Sequence, residues 1–259
     1  MSDLGSDLGS DLANRLEVRD LHRAFGGVQA VRGVSFTLEA GALIALIGPN
    51  GAGKSTCFNL LNGQLRPDSG SVRLDGADLV GLPPRRIWAL GVGRTFQITA
   101  TFASMTVAEN VQMVFLSHAH RLLGLWRPAS RSFRDEALAL LDRVGMAGQA
   151  DRPCGVLAYG DLKRVELAMA LAGRPKILLM DEPTAGMAPT ERLELMALTA
   201  SLVRERGLAV LFTEHDMDVV FGHATRILVL DRGRLIADGA PESVRADPRV
   251  QSVYLGDAV

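Results

Sequence analysis

Along most of this chain, short continuous runs of apolar residues alternate with segments in which apolar residues recur at the spacing of a helix. Each run is typical of a strand that is buried on both faces of a parallel sheet. Such strands are predicted at residues 42–47, 177–180 and 208–213. After the first of them, Cys57, Leu60 and Leu61 recur at helical intervals. This alternation predicts an α/β fold whose mostly parallel sheet carries helices on both faces.

Near the amino terminus the pattern is different, because apolar and polar residues alternate one by one. This happens at residues 16–19 and 34–38, with Phe25, Gly26 and Gly27 as a turn between them. Alternation with period two is typical of half-buried antiparallel strands. The sequence therefore predicts an N-terminal antiparallel β subdomain beside the parallel sheet.

Residues 105–171 show helical periodicity and contain no strand candidate. Thr106 and Glu109 have the spacing of a capping box, which marks a helix start. An apolar cluster at 122–128 is flanked by arginines, and a packed loop between helices is favoured there over a membrane-surface contact. These features predict a helical subdomain inserted between two sheet segments.

The chain is predicted to form a single domain that is preceded by a tail. Residues 226–230 and 235–237 read as a hairpin, and 241–255 as a terminal helix. A flexible tail is predicted at 1–13, where Ser-Asp-Leu recurs, and a single domain at 14–259. Its predicted parts are the sheet core with the β subdomain (14–97 and 172–240), the helical subdomain (98–171), and the C-terminal helix and tail (241–259).

Composition and charge restrict the class of protein. The formal net charge is −1 with 22% charged residues, so the overall balance implies no nucleic acid partner. No apolar run reaches the roughly 18 residues of a membrane span, and the start lacks the features of a secretory signal. Cys57 and Cys154 lack metal-ligand spacing and are expected to be reduced core thiols. These properties predict a soluble cytosolic protein.

The strongest chemical signal is a glycine-rich loop directly after the first apolar strand. It consists of Gly48, Pro49, Asn50, Gly51, Ala52, Gly53, Lys54, Ser55 and Thr56, which fits G-x-x-x-x-G-K-[ST]. Glycines let successive backbone N–H groups point inward, and the following helix start adds the positive end of its dipole. Lys54 can then reach the β- and γ-phosphates of a nucleotide, and the Ser55 hydroxyl can ligate Mg²⁺. We therefore predict a P-loop that binds nucleotide phosphates.

Polar residues follow three further strands. Asp181 and Glu182 close one apolar run, His215 follows the next, and Gln97 ends the strand predicted at residues 91–97. Parallel strands present their carboxyl ends along one edge, so Asp181 and Gln97 are expected beside the Mg²⁺ that Ser55 holds. Glu182 could polarise an attacking water, and His215 could hydrogen-bond the γ-phosphate or that water.

With these residues in place, the sequence resembles the ATP-binding cassette (ABC) ATPases from about Leu16 to Val229. The resemblance implies that Asp181 belongs to the Walker B motif, that Glu182 is the catalytic glutamate and that His215 is the switch histidine. It places Gln97 in the family's Q-loop. It also implies that Phe25 stacks on adenine, where many members carry Tyr. In the alternative interpretation, Phe25 is an ordinary core residue.

The family's signature segment falls at Leu157, Ala158, Tyr159, Gly160 and Asp161. In the family this segment caps the γ-phosphate of an ATP held by the opposite subunit. The resemblance thus implies a dimer around two Mg·ATP, whose second subunit is identical or homologous. Three residues depart from the family pattern: Ala158 replaces Ser, Asp161 replaces Gln, and Ala188 replaces an acidic residue. We expect that this chain pairs with a non-identical ATPase and donates the weaker half of the partner's site.

Within the family, several segments resemble ATPases of branched-chain amino acid importers, among them residues 24–28, 93–97, 214–217 and 254–256. This resemblance implies separate membrane permease subunits, an extracytoplasmic solute-binding protein, and attachment to the cytoplasmic face of the cell membrane through the permease. Residues 99–105 are the candidate permease contact, with Phe102 and Met105 as ordinary core residues in the alternative interpretation. The alternative functions are export, such as lipopolysaccharide extraction, or a soluble ABC ATPase that transports nothing.

Overall fold

A computed structural model gives the structure of the protein at residues 15–95, 101–119 and 133–255. The predicted tail at 1–13, the apolar cluster at 122–128 and Gln97 lie outside these described residues.

The larger sheet has six strands in the order β10-β9-β3-β8-β7-β6. Its strands are β3 (Leu43–Ile47), β6 (Val92–Thr95), β7 (Ile177–Asp181), β8 (Ala209–Thr213), β9 (Arg226–Asp231) and β10 (Arg234–Gly239). All neighbours pair in parallel except β9 and β10, which form the predicted antiparallel hairpin. The mostly parallel sheet predicted from the apolar runs is confirmed.

The smaller sheet is antiparallel, with four strands in the order β2-β1-β4-β5. Its strands are β1 (Leu16–Phe25), β2 (Val28–Leu38), β4 (Ser69–Leu74) and β5 (Ala77–Asp78). β1 and β2 are joined by Gly26 and Gly27, which both adopt positive φ as a two-residue hairpin turn requires. This sheet is the predicted β subdomain.

Nine α-helices connect or flank the strands of the described part of the chain. They are α1 (Lys54–Leu61), α2 (Pro84–Leu90), α3 (Val107–His118), α4 (Arg134–Arg143), α5 (Tyr159–Ala172), α6 (Pro189–Arg206), α7 (Met217–His223), α8 (Pro241–Ala246) and α9 (Pro248–Leu255). The predicted capping box starts α3: the Glu109 backbone N–H donates to Thr106 Oγ1, and the Thr106 N–H donates to Glu109 Oε2. The subdomain boundaries at residues 98, 172 and 241 stay a prediction.

Two hydrophobic cores lie on opposite faces of the large sheet. Strand β3 contributes to both of them, because Leu43, Ala45 and Ile47 pack into one core and Ile44 and Leu46 into the other. The first core contains α3, α4 and α5, and the second contains the small sheet and α1. A strand covered on both faces has no solvent-facing position, which explains its uninterrupted apolar run.

The single terminal helix predicted at 241–255 is wrong. The segment forms two short helices, α8 and α9, separated by Asp247 in an extended conformation. Pro248 begins the second helix, and a proline disfavours helical φ/ψ in the residue before it. Within the described residues, no helix has the length and apolar character to cross a membrane.

Candidate active site

The glycine-rich loop joins β3 to α1, and two of its glycines have no space for a side chain. A Cβ on Gly48 would lie 2.1 Å from the Leu230 carbonyl oxygen, and one on Gly53 would lie 2.3 Å from the Ala30 carbonyl oxygen. Gly53 is the N-cap of α1 with φ 107°, and no side chain caps this helix. The N–H groups of the first turn therefore remain available to an anion.

Lys54 folds back over this loop. Its Nζ donates to the carbonyl oxygens of Gly48 at 2.7 Å and Pro49 at 3.1 Å, and the residue is only 8% exposed. Burial lowers the pKa of Lys54, and the negative charges of Glu182 and Asp181 oppose that shift. Lys54 and the two carboxylates therefore interact electrostatically at the same edge of the sheet.

Asp181 ends β7 opposite Thr213, its register partner on β8. Its Oδ1 accepts from Thr213 Oγ1 at 2.8 Å, and its Oδ2 accepts from Arg94 Nη2 at 3.0 Å. A carboxylate held from two sides, together with the exposed Ser55 hydroxyl of α1, offers the oxygen donors that Mg²⁺ prefers. No group of three or more His, Cys, Asp or Glu side chains suited to a metal occurs in the described part of the chain.

The side chains of Glu182, which follows β7, and His215, which follows β8, contact each other at the ends of these two strands. His215 Nε2 lies 3.1 Å from Glu182 Oε1, and the histidine side chain is 52% exposed. Glu182 adopts φ 48°, a left-handed conformation unusual for a non-glycine residue and frequent at functional sites. Its backbone N–H donates to Thr213 Oγ1 at 3.0 Å, which fixes the turn. This pair can accept a proton from a water molecule or orient it.

Sequence reasoning missed the buried residue that fixes this pair, Glu214. Its Oε1 accepts from the Thr184 backbone N–H at 2.8 Å and from Thr184 Oγ1 at 2.6 Å. Its Oε2 accepts from the His215 backbone N–H at 3.2 Å. One carboxylate thereby joins the loop after β7 to the loop after β8. The only signal in the sequence was its place between a strand end and a histidine.

Phe25 lies at the end of the β1–β2 hairpin and is 42% exposed. The Arg23 guanidinium carbon lies 4.8 Å from the centroid of its ring. An exposed, cation-flanked ring at a hairpin is available for stacking on a base, as the sequence predicted. The alternative assignment of Phe25 to the core does not fit this exposure.

The signature segment forms the start of α5, where Ala158 is the N-cap and provides no side-chain hydrogen bond. An added Cβ on Gly160 would lie 3.1 Å from the Glu191 carboxylate of α6, and one on Gly186 would lie 3.2 Å from the Tyr159 ring. The signature segment therefore packs against α6 and the loop that precedes it. Tyr159 remains 42% exposed there.

A separate groove of about 550 Å³ lies between the α2–β6 region and helices α3 and α5. Its lining includes Trp88, Arg94, Phe102, Met113, Glu166 and Met169. Phe102 is 55% exposed, so its interpretation as a core residue is wrong, whereas Met105 is half-buried. The groove is distinct from the phosphate loop, but Arg94 reaches from it to Asp181.

Together, the fold and the site define a P-loop nucleotide-binding protein. Four adjacent parallel strands, β3, β8, β7 and β6, end at one edge, and three of them deliver Lys54, Asp181 and His215 to it. The fourth leads toward Gln97, which lies outside the described residues.

Comparison with known proteins gives the family. A model of the ABC transporter family matches residues 31–185, and a model of the branched-chain amino acid ATP-binding cassette transporter matches residues 234–259. The high-affinity branched-chain amino acid transport ATP-binding protein BraF of Pseudomonas aeruginosa is 42% identical over 250 residues, which cover 94% of this chain and 98% of BraF. The chain belongs to the ABC transporter family of ATP-binding proteins and is an ATPase.

Solved structures agree with this assignment. MJ1267, an ATP-binding cassette of an ABC transporter in its ADP conformation, matches with a TM-score of 0.83 and 30% identity, over 93% of this chain and 98% of MJ1267. A dimeric structure of the ATP-binding cassette MJ0796, bound to ADP and Pi in a post-hydrolysis state, matches with a TM-score of 0.73 and 25% identity. That match covers 87% of this chain and 98% of MJ0796.

Proposed function

We propose that this chain is the ATP-hydrolysing subunit of an importer for branched-chain amino acids or related small polar solutes. The observation that carries the proposal is the meeting of Asp181, Glu182 and His215 at the sheet edge that also holds Lys54. The likeness to BraF supports the solute class.

The residues of the site have separate roles in hydrolysis. The loop amides and Lys54 bind the β- and γ-phosphates, and Ser55, Gln97 and Asp181 hold Mg²⁺. When bound, Mg²⁺ neutralises developing charge on the phosphate oxygens. Glu182 polarises the attacking water, with His215 Nε2 at hydrogen-bonding distance from its carboxylate. Phe25 stacks on the adenine.

A second ATPase subunit completes each site. In this dimer, residues 158–161 of one chain cap the γ-phosphate bound by the other, so two Mg·ATP are enclosed between the subunits. The exposed Tyr159 and the uncapped start of α5 suit such a contact. The dimeric MJ0796 structure is a precedent for this arrangement in a related cassette.

Separate permease subunits dock in the groove between α2 and helices α3 and α5. Its lining is mainly apolar and includes the exposed Phe102 and the half-buried Trp88, which suits an amphipathic helix of the permease. Residues 101–105 form the described part of the proposed contact strip. The ATPase is then held at the cytoplasmic face of the membrane by its permease, and an extracytoplasmic protein delivers the solute.

The test is ATP turnover of the assembled transporter with Glu182→Gln. Removal of a general base lowers turnover by roughly 10²-fold, while nucleotide binding is retained because the phosphate loop is unchanged. Glu205→Gln is the matched control, because Glu205 is 56% exposed on α6 and lies outside the site. Unchanged turnover in the Glu182 variant, or turnover lost in both variants, would contradict the proposal.

A further inference from the structure

Arg94 lies between the groove and the proposed metal site. It stands on β6, and its side chain is 14% exposed. Its Nη2 donates to Asp181 Oδ2 at 3.0 Å, while its Nη1 donates to Asn59 Oδ1 at 2.7 Å and to Gln64 Oε1 at 2.8 Å. One guanidinium thus joins the end of β7, helix α1 and the segment after α1.

The contact with Arg94 is one of two hydrogen bonds that orient the Asp181 carboxylate. Thr213 holds Oδ1 and Arg94 holds Oδ2, so both oxygens are fixed before any cation binds. Each carboxylate oxygen has two lone pairs, so these hydrogen bonds leave room for a metal-bound water or the metal itself. Partners that orient a metal-ligating carboxylate contribute strongly to metal affinity.

Arg94 also belongs to the lining of the groove. Gln64, which accepts from Arg94 Nη1, lines the groove as well, as does Trp88 of α2. The residue that holds Asp181 is therefore within reach of a molecule that fills the groove. Arginine suits this position because its planar fork can donate in several fixed directions at once, which a lysine ammonium on a flexible stem does not reproduce.

On the basis of the function proposed above, we propose that Arg94 is a positioning residue that holds Asp181 for Mg²⁺ and links this carboxylate to the groove. Its substitution weakens the response of the site to Mg²⁺ but leaves metal-free nucleotide binding unchanged. Mg²⁺ binding, in turn, changes the surroundings of the groove through Arg94.

The first experiment is calorimetric titration of the full chain with ADP at increasing Mg²⁺, using Arg94→Gln and Arg94→Lys. Arg85→Gln is the matched control, since Arg85 also lines the groove but is exposed on α2. Mg²⁺ is expected to increase the affinity for ADP. We expect the Mg²⁺ concentration that gives half of this increase to rise about tenfold in Arg94→Gln and less in Arg94→Lys. Metal-free ADP affinity and the thermal midpoint of Arg94→Lys should stay near those of the wild type.

The possible outcomes separate this inference from the proposed function. If wild-type ADP binding does not respond to Mg²⁺, the proposed metal site itself fails. If ADP binding by the wild type depends on Mg²⁺ and the Arg94 variants show the same Mg²⁺ dependence, only the role of Arg94 is overturned. An equal shift in Arg85→Gln, or a parallel loss of metal-free ADP binding in both Arg94 variants, also overturns it.

The second experiment uses Trp88 as a reporter of the groove. The chain has two tryptophans, so Trp126→Phe leaves Trp88 as the single tryptophan, which is excited selectively over the two tyrosines. We expect Mg·ADP to change Trp88 emission relative to metal-free ADP, and Arg94→Gln to abolish this difference at saturating Mg²⁺. Identical emission changes with and without the Arg94 substitution, or no change in the wild type, would overturn the link to the groove.

Discussion

His215 Nε2 and Glu182 Oε1 lie 3.1 Å apart, although 33 positions separate the two residues along the chain. The contact exists because β7 and β8 are parallel neighbours that end at the same edge. The histidine side chain remains 52% exposed in this contact, so solvent and ligands can reach it.

We predict that His215→Ala lowers ATP turnover by roughly 10²-fold, because the hydrogen-bonded partner of the base is lost. Nucleotide affinity should change little, since His215 is not part of the phosphate loop. Turnover and ADP binding of the assembled transporter measure the two effects. His22→Ala on β1 is the control, because this half-exposed ring contacts Asp20 and belongs to the smaller sheet, outside the site. Equal turnover in the two variants would contradict a role for His215 in the reaction.

We predict that Gly53→Ala abolishes nucleotide binding. The new Cβ would lie 2.3 Å from a backbone carbonyl oxygen that has no freedom to move away, and φ 107° adds strain. Gly81→Ala is the matched control, because Gly81 also has positive φ but nothing within 4 Å of an added Cβ. The control should lose only about 1–2 kcal/mol of stability and should bind ADP normally in calorimetry. Normal ADP binding by Gly53→Ala would show that the loop tolerates a side chain.

The sequence predicted the parts of the site whose chemistry is local. Lys54 and Asp181 each follow a buried apolar strand, and a parallel sheet brings such strand ends together. Arg94, Thr213 and Glu214 were missed because their roles depend on the register of β7 against β8 and on contacts between distant segments. No local pattern encodes that register.

The parts of the fold that were predicted are likewise those with a local sequence pattern. Strands β3, β7 and β8 were predictable because burial on both faces leaves a continuous apolar run. The break between α8 and α9 was missed because the helical spacing continues across Asp247 while Pro248 interrupts the backbone.

We predict that Glu214→Gln destabilises the protein by about 1–3 kcal/mol, because charge-assisted hydrogen bonds to a buried carboxylate are replaced by weaker amide contacts. The amide keeps one acceptor oxygen, so the contacts to Thr184 and to the His215 backbone cannot both be retained. Urea unfolding measures the change. Glu205→Gln on exposed α6 should stay within about 0.5 kcal/mol of the wild type. A Glu214 variant as stable as this control would refute the role of the buried carboxylate.

We predict that neither cysteine reacts rapidly with a thiol reagent at pH 8 in the native protein. Burial raises the pKa of Cys57 to about 12 and also raises the pKa of Cys154, so both remain neutral thiols shielded from solvent. In urea both should titrate near the ordinary value and label within minutes. A Cys57→Ala variant assigns the two sites. Fast labelling without urea would show that a core thiol is accessible.

Three residues at the proposed subunit contact, Ala158, Asp161 and Ala188, depart from the family pattern. Ala158 leaves α5 without a side-chain cap, and Asp161 adds a negative charge in the first turn. This charge favours the helix dipole but opposes a phosphate of the partner's ATP. Ala188, the N-cap of α6, is exposed and offers no side-chain acceptor. We therefore expect the half-site that this chain donates to be weaker than the half-site that it contains.

If the partner is a homologous, non-identical ATPase, the two sites of the assembled transporter should contribute unequally to turnover. The test places Glu182→Gln in this chain alone and the corresponding substitution in the partner alone. Because the weaker donated half-site completes the partner's nucleotide site, we expect the substitution in this chain to cause the larger loss. The double variant sets the baseline. Equal losses from the two single substitutions would contradict the asymmetry, whereas unequal losses in the opposite direction would place the weaker donated half-site on the partner.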